Sequence, residues 1–199
     1  MLMHAAVVGQ LAGLAVIFGV SAFGKARSRA AMRSFATSLR GWRVLPGPLA
    51  GPVAVVVTCA EIAVVAGALV SLAISMSGMA PATGTAWRSL VVGTLGLAAI
   101  LLTGLSVGIA LALRRGPGAT CACFGATERP LNAGHLLRDV ILVVISIVGI
   151  ALAVGAGSRA AVPPGTIVAV FAGGVAGLVV ARLDDLIDLF GSGPPAGSA

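Results

Sequence analysis

Charge is scarce in this 199-residue chain. Only 10% of its residues are Asp, Glu, Lys or Arg, against 58% that are hydrophobic. At a mean hydropathy of +1.09, no water-soluble domain of this size hides so much apolar surface. The composition therefore calls for a polytopic membrane protein. Cysteine is also sparse, at 3 residues, and an odd number of thiols does not suit a closed disulfide framework. No second paired-ligand motif stands anywhere in the chain, so tetrahedral zinc is poorly supported. Strand-like alternation fit for a barrel is missing, and so is an internal repeat. No Lys or Arg precedes the first apolar run, and basic residues follow it. That reverses the signal-peptide order and predicts a retained first span. The formal charge of +7 has no soluble basic fold to carry it. It lies beside apolar spans, which argues against nucleic acid and for anionic membrane lipid.

What remains is long apolar sequence. Five stretches are long enough to cross a bilayer, at about 20 residues each: Ala5 to Phe23, Val53 to Met76, Ser89 to Leu113, Asp139 to Gly155 and Pro164 to Arg182. Lipid offers no partner to free backbone groups, so these are helices. The predicted class is all-α, a membrane helix bundle. Lys25, Arg27, Arg29, Arg33, Arg40, Arg43, Arg114, Arg115, Arg129, Arg138 and Arg182 fall on one side, and Arg88 and Arg159 on the other. That bias puts the first and third loops and the C-terminus in the cytoplasm and the N-terminus outside. The expected location is a bacterial plasma membrane.

Residues 29–45 are not a span. Met32, Phe35, Leu39 and Trp42 share one helical face and Arg33, Arg40 and Arg43 lie off it, the pattern of an interfacial amphipathic helix on the inner leaflet. Pro46 and Pro48 end it. Gly9 and Gly13, Gly104 and Gly108, and Gly173 and Gly177 are spaced for close helix approach, read here as packing within one bundle. Gln10 is expected to hydrogen-bond between helices. The Gly, Ser, Pro and Ala tail from Gly191 to Ala199 predicts disorder.

Two positions carry candidate chemistry. Cys121-Ala122-Cys123-Phe124-Gly125 sets two thiols in a short loop flanked by Arg114, Arg115 and Arg129. Positive neighbours favour thiolate. Thiols one residue apart close only a strained ring, and strain makes a disulfide a better oxidant. Redox exchange is the favoured use, ahead of metal binding completed by His135, Cys59 or Asp139, and of no role. Glu61 lies about 12 Å into the second span. A carboxylate there must be protonated, paired or turned to a polar cavity. Lys25, just past the first span, can reach it. Proton handling and a structural ion pair stay open. Cys59, two residues earlier, points to another face. Asp139 suits a helix N-terminus, and Arg138 suits the headgroups.

Taken in order, these residues resemble a known family. Ser21-Ala22-Phe23-Gly24-Lys25 is followed by Phe35, Leu39 and Leu45-Pro46, then by Glu61 with Gly67, then by the Cys121–Gly125 loop and Arg138-Asp139. This looks like the methylamine utilisation protein MauE family, related to the DoxX-like membrane proteins, over about residues 5 to 156. The resemblance implies a four-helix membrane domain at 1–156; an extra C-terminal transmembrane helix and acidic segment, expected at 157–190, lie outside it. Founding members are implicated in maturing the disulfide-rich small subunit of methylamine dehydrogenase beside a thioredoxin-like partner. The resemblance thus implies Cys121 and Cys123 as an exchanging pair serving an exported client, a component of a thiol–disulfide oxidoreductase system. A quinone is compatible with that role, though no cofactor is specified. Ala122 replaces the family's usual glycine, and Asp139 stands where asparagine is common.

Two other readings compete with redox exchange. One is a non-catalytic assembly factor or scaffold. The other, a small-solute carrier built on Glu61, lacks the repeats and embedded polar groups such carriers show. The charge bias also puts the cysteine loop inside, whereas oxidative folding proceeds outside. The loop then folds back into the bundle, takes electrons from cytosolic thiols for onward transfer, or is not a folding oxidant.

Overall fold

The computed structural model describes residues 2–77, 84–115, 120–121, 129–130, 133–155 and 165–183. For 120–121, 129–130 and 133 only the backbone is described. Helices dominate: α1 (Leu2–Ala26), α2 (Arg29–Gly41), α3 (Ala50–Met76), α4 (Gly84–Arg114), α5 (Ala133–Gly155) and α6 (Thr166–Ala181). A 3-10 turn over Gly47–Leu49 leads into α3. Two-residue segments β1 (Thr120–Cys121) and β2 (Arg129–Pro130) pair antiparallel between α4 and α5.

Four helical segments, Leu2–Ala26, Gly47–Met76, Gly84–Arg114 and Gly134–Gly155, are long and apolar enough to cross a membrane. The fifth apolar stretch is a helix of 16 residues, about 24 Å long against a hydrocarbon thickness of about 30 Å. The outer surface is apolar: Val56, Ile100, Ile147, Val168, Phe171 and Val175 are all more than half exposed. A surface of that kind suits hydrocarbon rather than water. The fold is an all-α membrane bundle.

Its core joins α1, α3, α4 and α5. Leu11, Leu14 and Phe18 of α1 meet Val64 and Ala68 of α3, Val91, Leu95 and Leu102 of α4, and Leu142 of α5. Several buried hydroxyls are satisfied within their own helices. Thr58, Ser71, Ser75 and Ser146 each donate to the carbonyl four residues back, which hides a hydroxyl at little cost. Gln10 of α1 donates to the Ile145 carbonyl at 2.8 Å, and its side chain lies over Gly149 where a Cβ would stand.

Helix α2 begins at Ser28, whose hydroxyl accepts from the Ala31 N–H at 3.0 Å. Its apolar face behaves differently from a helix laid on lipid. Phe35, Ala36, Leu39 and Trp42 pack on Ala50 and Ala54 of α3 and Ile109 and Ala112 of α4. The helix therefore lies across one end of the bundle, and its apolar face is covered by protein. Arg29, Arg33 and Arg40 face outward. Gly108 makes room for the Trp42 indole, since a Cβ there would fall 2.9 Å from its ring.

Helix α6 lies against α1 at backbone distance. A Cβ on Gly9 would meet the Ala169 carbonyl oxygen at 2.9 Å, and one on Gly13 the Gly173 oxygen at 3.0 Å. From the other side, a Cβ on Gly177 would stand 2.5 Å from the Gly13 oxygen. The two glycine pairs thus face each other within one chain. The register rises together in both helices, so α1 and α6 run parallel. The expected boundary near residue 156, the acidic Asp184, Asp185 and Asp188, and the tail 191–199 lie outside the described residues.

Candidate functional site

The end of the bundle under α2 holds a buried ion pair. Lys25 closes the last turn of α1, and Ser21 stands four residues earlier on the same face. Glu61 projects from α3. The Lys25 Nζ–Glu61 Oε1 distance is 2.5 Å, with both residues nearly inaccessible, at 3% and 5% exposure. Lys25 also donates to the Ser21 hydroxyl at 2.8 Å, and that hydroxyl donates to Glu61 Oε1 at 3.0 Å. The Phe35 ring of α2 lies over the ammonium at 4.5 Å. The ammonium therefore has a carboxylate, a hydroxyl and an aromatic face around it, which matches its donor capacity.

The carboxylate is less fully served. Glu61 Oε2 is buried and has no hydrogen-bond partner among the described residues. Desolvating two charges costs several kcal/mol per ion, and only complete hydrogen bonding repays it. A pair left one bond short is a poor device for stability alone. Oε2 is the open position for a proton, although a proton there removes the charge that balances Lys25. The Lys25–Glu61 pairing expected from sequence is thus present. Ser21 and Phe35 join it without having been candidates from sequence, although a serine four residues before the lysine marks the same helix face.

The start of α5 adds a second buried charged group at this end. Arg138 Nε and Nη2 donate to Asp139 Oδ1 at 3.2 and 3.1 Å. Asp139 is fully buried, and Arg138 and His135 nearly so. The expectations that Arg138 lies among headgroups and that Asp139 stands at a helix N-terminus are overturned, since both residues are buried and α5 already begins at Ala133. Leu136 packs into the α2 cluster, so this helix start is covered by protein instead of lipid and water.

Cys121 pairs in register with Arg129, and β1 packs against α2. The backbone of Cys121 and the Lys25–Glu61 pair therefore share one end of the bundle, both against α2. Cys123 lies outside the described residues. Cys59 is exposed on α3, turned away from buried Glu61, and is not brought to this site. Among the described residues no three His, Cys, Asp or Glu side chains converge. The basic residues Lys25, Arg27, Arg29, Arg33, Arg40, Arg43, Arg114, Arg115 and Arg138 also belong to this end. At the opposite end His4 stacks on Trp87 with centroids 5.2 Å apart, and the indole donates to Ser75 at 3.1 Å.

No curated protein and no solved structure matches the chain. The family model described as methylamine utilisation protein MauE matches residues 3–152. That span contains α1 to α4, the Cys121–Cys123 loop and nearly all of α5, and it stops before α6. Covering most of the chain, together with the apolar four-helix core, it makes the protein a member of the MauE family.

Proposed function

We propose that this membrane protein performs thiol–disulfide exchange through Cys121 and Cys123, in support of maturing an exported disulfide-containing protein. The observation that carries the reading is the family match over residues 3–152, inside which the paired thiols stand. A thiolate of a thioredoxin-like partner attacks the Cys121–Cys123 disulfide. One cysteine leaves as thiolate and the other forms a mixed disulfide with the partner. The partner's second thiolate displaces it, so the partner is oxidised and the pair gains two electrons and two protons. A strained ring favours this direction. The reduced pair gives its two electrons and two protons to a disulfide acceptor by the same exchange in reverse, and the partner's new disulfide passes by onward exchange to the thiols of the exported client, which are oxidised to its disulfide. Glu61 handles protons through Oε2, with Lys25 holding Oε1 in place.

The test is a trap. With Cys121→Ser, and separately Cys123→Ser, the remaining thiol is expected to accumulate a mixed disulfide with a thioredoxin-like protein. Loss of client disulfides is expected in the double variant. A double variant that supports client maturation fully would reject the exchange and leave a non-catalytic assembly factor.

A further inference from the structure

Helix α6 and the residues after it lie beyond the family match, which ends at residue 152. The added helix is nonetheless held firmly. Its glycines meet those of α1 at backbone distance, and the register makes the two helices parallel. Parallel packing has a geometric consequence. With Gly13 between Gly173 and Gly177, Ala181 comes level with about residue 19 of α1. The C-terminus of α6 thus points toward the basic end of the molecule and stops about 10 Å short of the end of α1.

The chain that emerges there is acidic. Of 6 acidic residues in the protein, Asp184, Asp185 and Asp188 fall within five positions just after α6. Arg27, Arg29 and Arg33 run from the end of α1 into α2 and are all exposed. Asp188 is seven residues past Ala181, a reach of up to about 24 Å, so contact needs no rearrangement of the bundle. An intramolecular ligand on so short a tether acts at an effective concentration in the millimolar range.

From this we infer that the segment Asp184–Asp188 docks on the arginine face formed by Arg27, Arg29 and Arg33 of the same chain. The occupied arginines are withdrawn from anionic lipid headgroups and from acidic partners approaching the α2 end. The appended helix then serves as an anchor that delivers a built-in electrostatic competitor. This holds whether or not the thiols exchange.

Trypsin reads the contact directly, because it cleaves after these arginines. The full chain is placed in zwitterionic nanodiscs, one copy per disc, so that a second copy cannot supply the segment. Cleavage after Arg27, Arg29 and Arg33 is followed by mass spectrometry. In low salt the natural chain should be cut roughly five-fold more slowly than the Asp184→Asn/Asp185→Asn/Asp188→Asn variant, as a small network of exposed ion pairs allows. Salt near 1 M, where the Debye length is about 3 Å, should abolish the difference. Anionic lipid in the disc should reduce it by competition. Equal cleavage of the two chains in low salt would overturn the proposal, as would a difference that high salt leaves intact. Cleavage after exposed Arg88, at the far end, serves as the internal reference for folding.

Discussion

Every contact that Lys25 makes exists because one charge was taken out of water, and the same holds for Glu61. Removing either partner leaves the other buried and uncompensated. Glu61→Ala and Lys25→Ala should each lower stability by about 3 kcal/mol or more, measured as thermal unfolding in detergent. A Lys25→Met/Glu61→Met double variant should recover much of that loss, since both charges then leave together. If the double variant were as unstable as the sum of the singles, the pair would not be coupled as the 2.5 Å contact requires. This site is legible in sequence for a plain reason: a carboxylate in hydrocarbon needs a partner, and Lys25 is the nearest cation at matching depth. Arg138 is misleading in sequence for an equally plain reason. Headgroup placement assumes that the helix end meets lipid. Here Leu136 is covered by the α2 cluster, and the guanidinium turns back to Asp139.

At the level of helices, glycine position separates structural contact from mere composition. Gly9 and Gly173 face backbone across the α1–α6 seam, whereas Gly19 and Gly174 have nothing within 4 Å. Gly9→Val or Gly173→Val should therefore cost about 1–3 kcal/mol by overpacking. Gly19→Val and Gly174→Val should be nearly neutral in the same detergent melt. Equal effects at all four sites would mean that valine's helix propensity, not the seam, sets the stability. The spacing of these glycines can be read from sequence, but their pairing cannot, because it depends on which helices become neighbours. Helix α2 makes the same point. Its two faces are plain from the positions of Phe35, Leu39 and the arginines, and the cover of its apolar face is not. Lipid and a bundle end present the same hydrocarbon to a one-dimensional pattern. Trp42, buried against Gly108, distinguishes them. In a Trp87→Phe background, Gly108→Val should displace the indole and shift its fluorescence to the red, which a helix resting on lipid alone would not show.

For the molecule as a whole, the fold gathers onto one end what the sequence scatters over about 150 residues, a compact bundle end of the kind alternating spans produce. The exits of α1, α4 and α6 and the starts of α2, α3 and α5 all lie there, and with them nearly all the basic residues. The number of helices and their alternation are legible from hydropathy. That Cys121, Lys25 and Glu61 share α2 as a common neighbour is not, since it depends on β1 folding back from α4. The same geometry makes sidedness a property of one rigid end, so two positions are enough to measure it. In a chain with all three cysteines replaced by serine, Arg27→Cys and Arg88→Cys report the two ends, both residues being exposed. With intact cells and a membrane-impermeant maleimide, Arg88→Cys should label and Arg27→Cys should stay silent until the membrane is opened. The bias of positive charge requires that order. The opposite result would put the α2 end outside, where oxidative folding occurs. Cys121 would then meet an exported client directly, without the onward transfer that a cytoplasmic loop demands.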